Sequence, residues 1–187
     1  MDGDVRRRVL SNPLITVEPA RLDHPEGEML AAALGDEMRG RYHDGGDDAE
    51  PAVGPAELSR PSGGTFLLAR IEGRPVGCIG LRRHDDDTGE IKRMYVAPEA
   101  RRSGVGRVLL GAVEAQARRL GYCTIILETG IRQPEALALY ESHGYHRIPS
   151  YGHWKDSPLS VCLEKRLGIG DHEASNTTGN DVGPRKA

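Results

Sequence analysis

Aromatic side chains are scarce in this chain. One Trp, one Phe and six Tyr amount to 4% of 187 residues, so a core has to rest on Leu, Val, Ile and Ala. Cysteine is scarcer still. Cys78, Cys123 and Cys162 each fall in an apolar, strand-like run, with no CxxC pair and no Cys/His ligand spacing. Neither a zinc site nor a disulfide framework is indicated, and buried free thiols suit a reducing, cytoplasmic setting. No stretch approaches the ~20 apolar residues of a membrane span, and MDGDVRRRVLSNP has no apolar centre of the kind a secretory signal needs. A net charge of -3 leaves no global basic field for nucleic acid. Neither a nucleic-acid nor a membrane partner is therefore expected.

The length suits one domain large enough to bury a core. Residues 1–12 are charged and aperiodic. Residues 168–187 are rich in Gly, Asn, Thr and Asp with almost no apolar side chain. Both ends read as disordered, which leaves a single domain over 13–167 with no internal repeat. Within it, 14–18 reads as a short strand. Residues 25–38 read as a helix through Met29, Leu30, Ala33, Leu34 and Met38. The Gly/Asp/Pro-rich stretch 40–64 is loop, with a short helix around 56–58. Strands follow at 65–72, 76–82 and 90–96, with Gly73-Arg74-Pro75 and residues 85–89 as turns.

The period then changes. Val105, Val108, Leu109, Ala112, Val113 and Leu120 share one helical face, and Gly121 stops the helix. CTIIL at 123–127 reads as a strand covered on both faces. A helix from Pro134 to about His143 ends at Gly144, and 145–148 and 159–164 close the fold. The order implies a mixed sheet with helices on its faces.

The informative segment is VAPEARRSGVG at 96–106, between a strand and an amphipathic helix. A helix N-terminus offers unpaired N–H groups and the positive end of the dipole. Gly104 and Gly106 let a phosphate approach the backbone, and Arg101 and Arg102 add charge, so the segment is chemically a pyrophosphate cradle. Competing motifs fail: a P-loop lacks its GKS or GKT, and Leu109 stands where the third glycine of a dinucleotide-binding loop belongs.

Arg101-x-x-Gly104-x-Gly106, preceded by Met94-Tyr95-Val96 and Pro98, resembles the acetyl-CoA signature of the GNAT N-acetyltransferases. QPEALALYESHGY at 133–145 resembles that family's second signature through Ala136, Leu139, Tyr140 and Gly144, with Gln133 in place of the usual Asn and Tyr145 in place of Phe. The resemblance implies an α/β (α+β) single-domain fold, with a mixed central sheet of about six to seven strands and helices on both faces. It implies acetyl-CoA as co-substrate and direct transfer of its acetyl group to a primary amine of a small molecule or peptide, and it admits a homodimer. The backbone of Met94, Tyr95 and Val96 would pair with the pantetheine arm, where a bulge opens a slot. The cofactor-binding set would be these three with Arg101, Arg102, Ser103, Gly104, Val105, Gly106, Arg107 and Gln133, the amides from Arg102 to Arg107 holding the pyrophosphate. Two other readings stay open: a non-catalytic acyl-CoA-binding module on the same fold, and an unrelated nucleotide-binding domain.

Such a transfer needs a proton acceptor for the amine and a donor near the departing sulfur. The resemblance makes Tyr140 the donor, the alternative being a core tyrosine. Glu90 is the base candidate, at the same offset before the glycine loop as a catalytic Glu of related histone acetyltransferases. The alternative is a strand Glu paired with Lys92 or Arg93. His84, His143, His146 and His153 read as surface or loop residues. Trp154 serves either as a latch for the 149–158 loop or as a wall of the acceptor pocket. Asp44, Asp47, Asp48 and Glu50 suggest a cationic acceptor.

Overall fold

Alternating apolar runs bracket two helical ones in the second half of this chain, and the sheet is assembled around that interruption. The computed structural model describes residues 14–42 and 53–168. The strands are β1 (Ile15–Ala20), β2 (Thr65–Ile71), β3 (Arg74–Arg83), β4 (Thr88–Val96), β5 (Thr124–Gly130), β6 (His146–Ile148) and β7 (Ser160–Arg166). They form one sheet in the order β1-β2-β3-β4-β5-β7-β6. The β4–β5 pair is parallel and every other pair is antiparallel. A parallel pair needs a crossover, which α2 (Val105–Arg119) supplies, while α1 (Pro25–Arg41) and α3 (Pro134–Ser142) complete the helices. This is the α/β fold that the sequence implied.

The helices divide between the two faces. On one, Val105, Leu109, Leu110, Val113 and Ala117 of α2 pack on Leu67, Ile79, Leu81, Ile91, Ile125, Leu127 and Leu163, joined by Tyr140 of α3. On the other, Leu30 of α1 packs with Leu22, Phe66, Leu68, Cys78 and Tyr95. α1 starts on Pro25, carries Glu26 and Glu28 in its first turn and Arg39 and Arg41 in its last, which complements its dipole.

Several expectations need correction. Val108 is 40% exposed, and Leu110 takes its place on the buried stripe of α2. Cys123 is exposed, whereas Cys78 and Cys162 are buried. It precedes β5 in a turn, its carbonyl accepting from the Leu167 N–H at 2.7 Å. Arg74 and Pro75 open β3 rather than a turn, and a 3-10 turn at Arg60–Ser62 takes the place of the short helix at 56–58. β5 runs to Gly130, past the apolar residues that marked it. The ends expected to be disordered and the 44–50 acidic cluster lie outside the described residues, apart from Gly168.

Candidate active site

β4 and β5 pair from Thr88↔Thr124 to Ile91↔Leu127 and no further. Beyond that point β5 stays with β7 to Gly130↔Ser160, and β4 stays with β3 to Val96↔Gly77. The two strands therefore part, and the edge of β4 from Lys92 to Val96 faces a gap.

A bulge on β4 causes the parting. Lys92 stands opposite Gly80 and Tyr95 opposite Cys78, so Arg93 and Met94 together face Ile79 alone. Arg93 takes up the extra residue with φ +58, a conformation that costs a side-chain-bearing residue about 1–3 kcal/mol. Its neighbours hold it there. The Cys78 thiol donates to the Arg93 carbonyl at 3.2 Å, and Arg93 Nη2 donates to the Val53 carbonyl at 3.2 Å.

The bulge also inverts the alternation of β4. Before it, Ile91 joins the α2 face, and Glu90 and Lys92 point to the α1 side. After it, Met94 and Val96 join the α2 face and Tyr95 turns to α1. A one-residue shift exchanges every side chain between faces.

On the α1 side, beside the mouth of the gap, Arg82, His84, Glu90, Lys92, Glu128 and Tyr151 line a cavity of about 260 Å³. His153 and Trp154 line it too, so Trp154 and two of the histidines border this cavity. Glu90 forms the floor at 1% exposure. Its carboxylate accepts from Arg82 Nε at 2.7 Å, Lys92 Nζ at 3.0 Å and the Tyr151 hydroxyl at 3.2 Å. Lys92 is thus its partner, and Arg93 is not. Burial, and then the charge of Glu90, push the Tyr151 phenol well above its ordinary range.

Glu128 was missed in the sequence. It is the first β5 residue beyond the last β4 partner and is only partly buried. It accepts from Ser160 Oγ at 2.9 Å. A polar residue directly after the apolar CTIIL run was its signal.

Tyr140 lies across the sheet. Its hydroxyl donates to Met94 Sδ at 3.3 Å, on the unpaired stretch of β4. Its ring meets Tyr145 edge-on at 5.7 Å. Burial, and then the charge of Glu128, raise its pKa above the ordinary phenol value. Glu128 thus lines the cavity and its charge is also felt by Tyr140.

The glycine loop lies beside Met94, whose Cε would be 3.7 Å from a Cβ on Gly106. Gly104 is the N-cap of α2 at φ +96, and among the described residues an added Cβ there would meet Ile15 Cδ1 at an ordinary 3.9 Å. The first turn of α2, with Val105, Gly106 and Arg107, has no side-chain cap, so its N–H groups are available to an anion. Gly106 lets the two signatures touch, since a Cβ there would meet Leu139 Cδ2 at 2.9 Å. Arg102 reaches φ +62, and Ser103 Oγ donates to the Ala100 carbonyl at 2.6 Å.

Arg101 is directed elsewhere: its Nε donates to the Val96 carbonyl at 3.0 Å and its guanidinium pairs with Glu37 of α1. Gln133 is the half-buried N-cap of α3. An unpaired strand edge that leads to an uncapped helix terminus fits an extended, amide-bearing chain ending in phosphates.

The model of the acetyltransferase (GNAT) family matches residues 28–145. An IAA acetyltransferase of Azospirillum brasilense is 40% identical over 103 residues, 54% of this chain and 67% of that protein. Human N-acetyltransferase 8 is 38% identical over 90 residues, 46% of this chain, which spans only 40% of that protein's length. A Klebsiella pneumoniae structure described as an acyl-CoA N-acyltransferase superposes with a TM-score of 0.69 at 32% identity, covering 82% of this chain and 98% of that one. An Elizabethkingia anophelis GNAT acetyltransferase with acetyl-CoA bound shares the fold at a TM-score of 0.60 and 23% identity, over 82% of this chain and 98% of that one. The chain belongs to the acetyltransferase (GNAT) family and is an acetyltransferase domain. Among the described residues no helix is long and apolar enough to cross a membrane.

Proposed function

We propose that this protein transfers the acetyl group of acetyl-CoA directly to a primary amine of a small molecule or peptide. The observation that carries the reading is the gap itself. A bulged β4 presents an unpaired backbone edge, with an uncapped helix terminus at one end. A buried phenol and a carboxylate-bearing cavity stand on opposite faces at the other.

Acetyl-CoA supplies an activated acyl carbon on a sulfur that can leave as a thiolate. The N–H groups from Arg102 to Arg107 hold the pyrophosphate, and Met94 to Val96 pair with the arm as an added strand would. The amine enters from the cavity side. An ammonium with a reference pKa of ~10.4 has to lose a proton before its nitrogen can form the new C–N bond. We assign that proton to Glu128. It stands where the strands part, whereas Glu90 is held by two cations and a phenol beneath the surface. Glu90 then serves to fix Lys92 and Tyr151. As the C–S bond breaks, the Tyr140 hydroxyl donates a hydrogen bond to the departing sulfur. A reducing compartment such as the cytoplasm suits three unpaired thiols.

The test is an amine panel read by release of free thiol and by mass of the acetylated product. Amine-dependent thiol release matched by one acetyl per amine is the expected result. Acetyl-CoA binding without any amine-dependent release would make the protein a binding module instead.

A further inference from the structure

A second cavity, of about 330 Å³, adjoins the first. His84 and Tyr151 line both, their rings meeting edge-on at 5.6 Å. Strand register explains why the two lie end to end. Thr88 pairs with Thr124 and Glu90 with Ile126. Thr124 pairs in turn with Arg166, and Ile126 with Glu164. Side chains two apart along a strand point the same way, so Glu128, Ile126 and Thr124 share one face of β5. Glu128 lines the first cavity, and Ile126 and Thr124 line the second. On β4, Lys92 and Glu90 likewise line the first and Thr88 the second. The two cavities are therefore successive stretches of one trough along these strands.

The trough changes character along its length. At Glu128 it accepts a proton, as assigned above. Its middle is apolar, with Ile126, Ile148 and Pro149. Its far end holds the exposed guanidinium of Arg166. The two acids of that stretch are engaged by their neighbours. Glu164 meets His146 Nε2 at 3.0 Å, and Asp85 accepts from the Asp87 N–H at 3.0 Å. Thr124, the partner of Arg166, lies about 13 Å along the strand from Glu128. An extended peptide of about four residues covers that length.

We propose that the acceptor is a short peptide bound along this trough. Its N-terminal amine lies at Glu128, an apolar side chain lies over Ile126, and a carboxylate about four residues on meets Arg166. The assignment rests on the acetyl-transfer reading above. A peptide α-amine has a reference pKa of ~7.7–8.0 against ~10.4 for a lysine side chain, so a carboxylate base takes its proton more readily. One proton of the ammonium goes to Glu128, and the nitrogen bonds the acetyl carbon as the C–S bond breaks. A second N–H proton ends on the departing sulfur, leaving an N-acetylated peptide and CoA.

Kinetics with acetyl-CoA and three acceptors test this: Ala-Leu-Ser-Ala as the free acid, the same peptide as its C-terminal amide, and alaninamide. Wild type should favour the free acid over the peptide amide about 5-fold in kcat/KM, through KM, and the preference should fade as salt screens it. Arg166→Gln should bring the two peptides level, and Arg166→Glu should reverse their order. The peptide amide should in turn exceed alaninamide, which is too short to reach Ile126. A wild type that does not distinguish acid from amide overturns the proposal, and so does a preference that survives in both variants. Alaninamide used as well as either peptide also overturns it, while acetyl transfer stands. If wild type acetylates other amines but none of these three, the peptide class falls alone. If it acetylates no amine, the acetyl-transfer reading falls and takes this assignment with it.

Discussion

The two faces of the sheet are made from the same strands, residue by alternate residue, and they are put to different uses. Under α2 and α3 the face is nearly all apolar. Its charged exception, Glu114, is answered by Lys165 Nζ at 2.7 and 2.8 Å. Under α1 the apolar packing of Phe66, Leu68 and Cys78 gives way along the strands to Arg82, Glu90, Lys92 and Glu128. Ion pairs buried in this way contribute little net stability compared with apolar side chains of similar size. The first face holds the fold together, whereas the second commits buried volume to charged groups that line a cavity. The gap between β4 and β5 is where the two meet.

Substitutions on the two faces should therefore separate stability from binding. Leu109 is fully buried in the apolar face. Leu109→Ala should cost ~2–5 kcal/mol in urea unfolding and leave acetyl-CoA affinity at the stability-corrected level. A variant as stable as wild type would break the comparison. Gly104→Glu should do the reverse. It places a side chain at φ +96 and a negative charge in the cradle. Acetyl-CoA affinity should fall ~100-fold or more by calorimetry, about 2.7 kcal/mol, and undiminished affinity would remove the loop from the cofactor site.

Tyr140→Phe should lower kcat by ~10²-fold or somewhat less, with acetyl-CoA affinity nearly intact, because the hydroxyl matters most as charge gathers on sulfur. Burial raises this phenol above its ordinary ~10. The donor therefore stays protonated as pH rises to that value, and wild-type kcat should show no alkaline fall below it from this group. Wild-type turnover by the variant, with chemistry shown to be rate-limiting, would make the hydroxyl structural.

The smallest separation is between the two carboxylates. Glu128→Gln should lower kcat/KM ~10-fold or more at neutral pH. Its defect should shrink as pH rises, because bulk solvent then deprotonates the amine. Glu90→Gln should give a defect that does not depend on pH. If the two profiles exchange, Glu90 is the base and Glu128 the support.

Much of this was legible beforehand. The helical stripe through Val105, Leu109 and Val113 and the apolar run at Ile125–Leu127 specified the crossover and its strand, because hydrophobic periodicity is local and survives in a single sequence. Gly104 and Tyr140 were singled out through their signatures, and in the structure the one caps α2 while the hydroxyl of the other meets Met94 on β4. Cys123 and Val108 were misplaced for a common reason. A run of apolar residues does not show which of its members meets another element.

By itself the sequence determined the order of the elements, the apolar stripe of each helix and the positive-φ turn at Gly104, since each depends on neighbours a few residues apart. It also held a hint of the bulge, because the consecutive Lys92 and Arg93 break the alternation of EIKRMYV. Only the tertiary structure decided how that break resolves. The phase of β4 after Arg93 is set by pairing with β3, where Gly80 and Cys78 fix Lys92 and Tyr95 in register. Glu128 came to line the cavity because β5 continues past the point where β4 leaves it. The Tyr42 hydroxyl gained its place from Gly130, distant in sequence, which has no side chain to keep it away. Register and close approach are relations between segments far apart in the chain, and no window of neighbouring residues contains them.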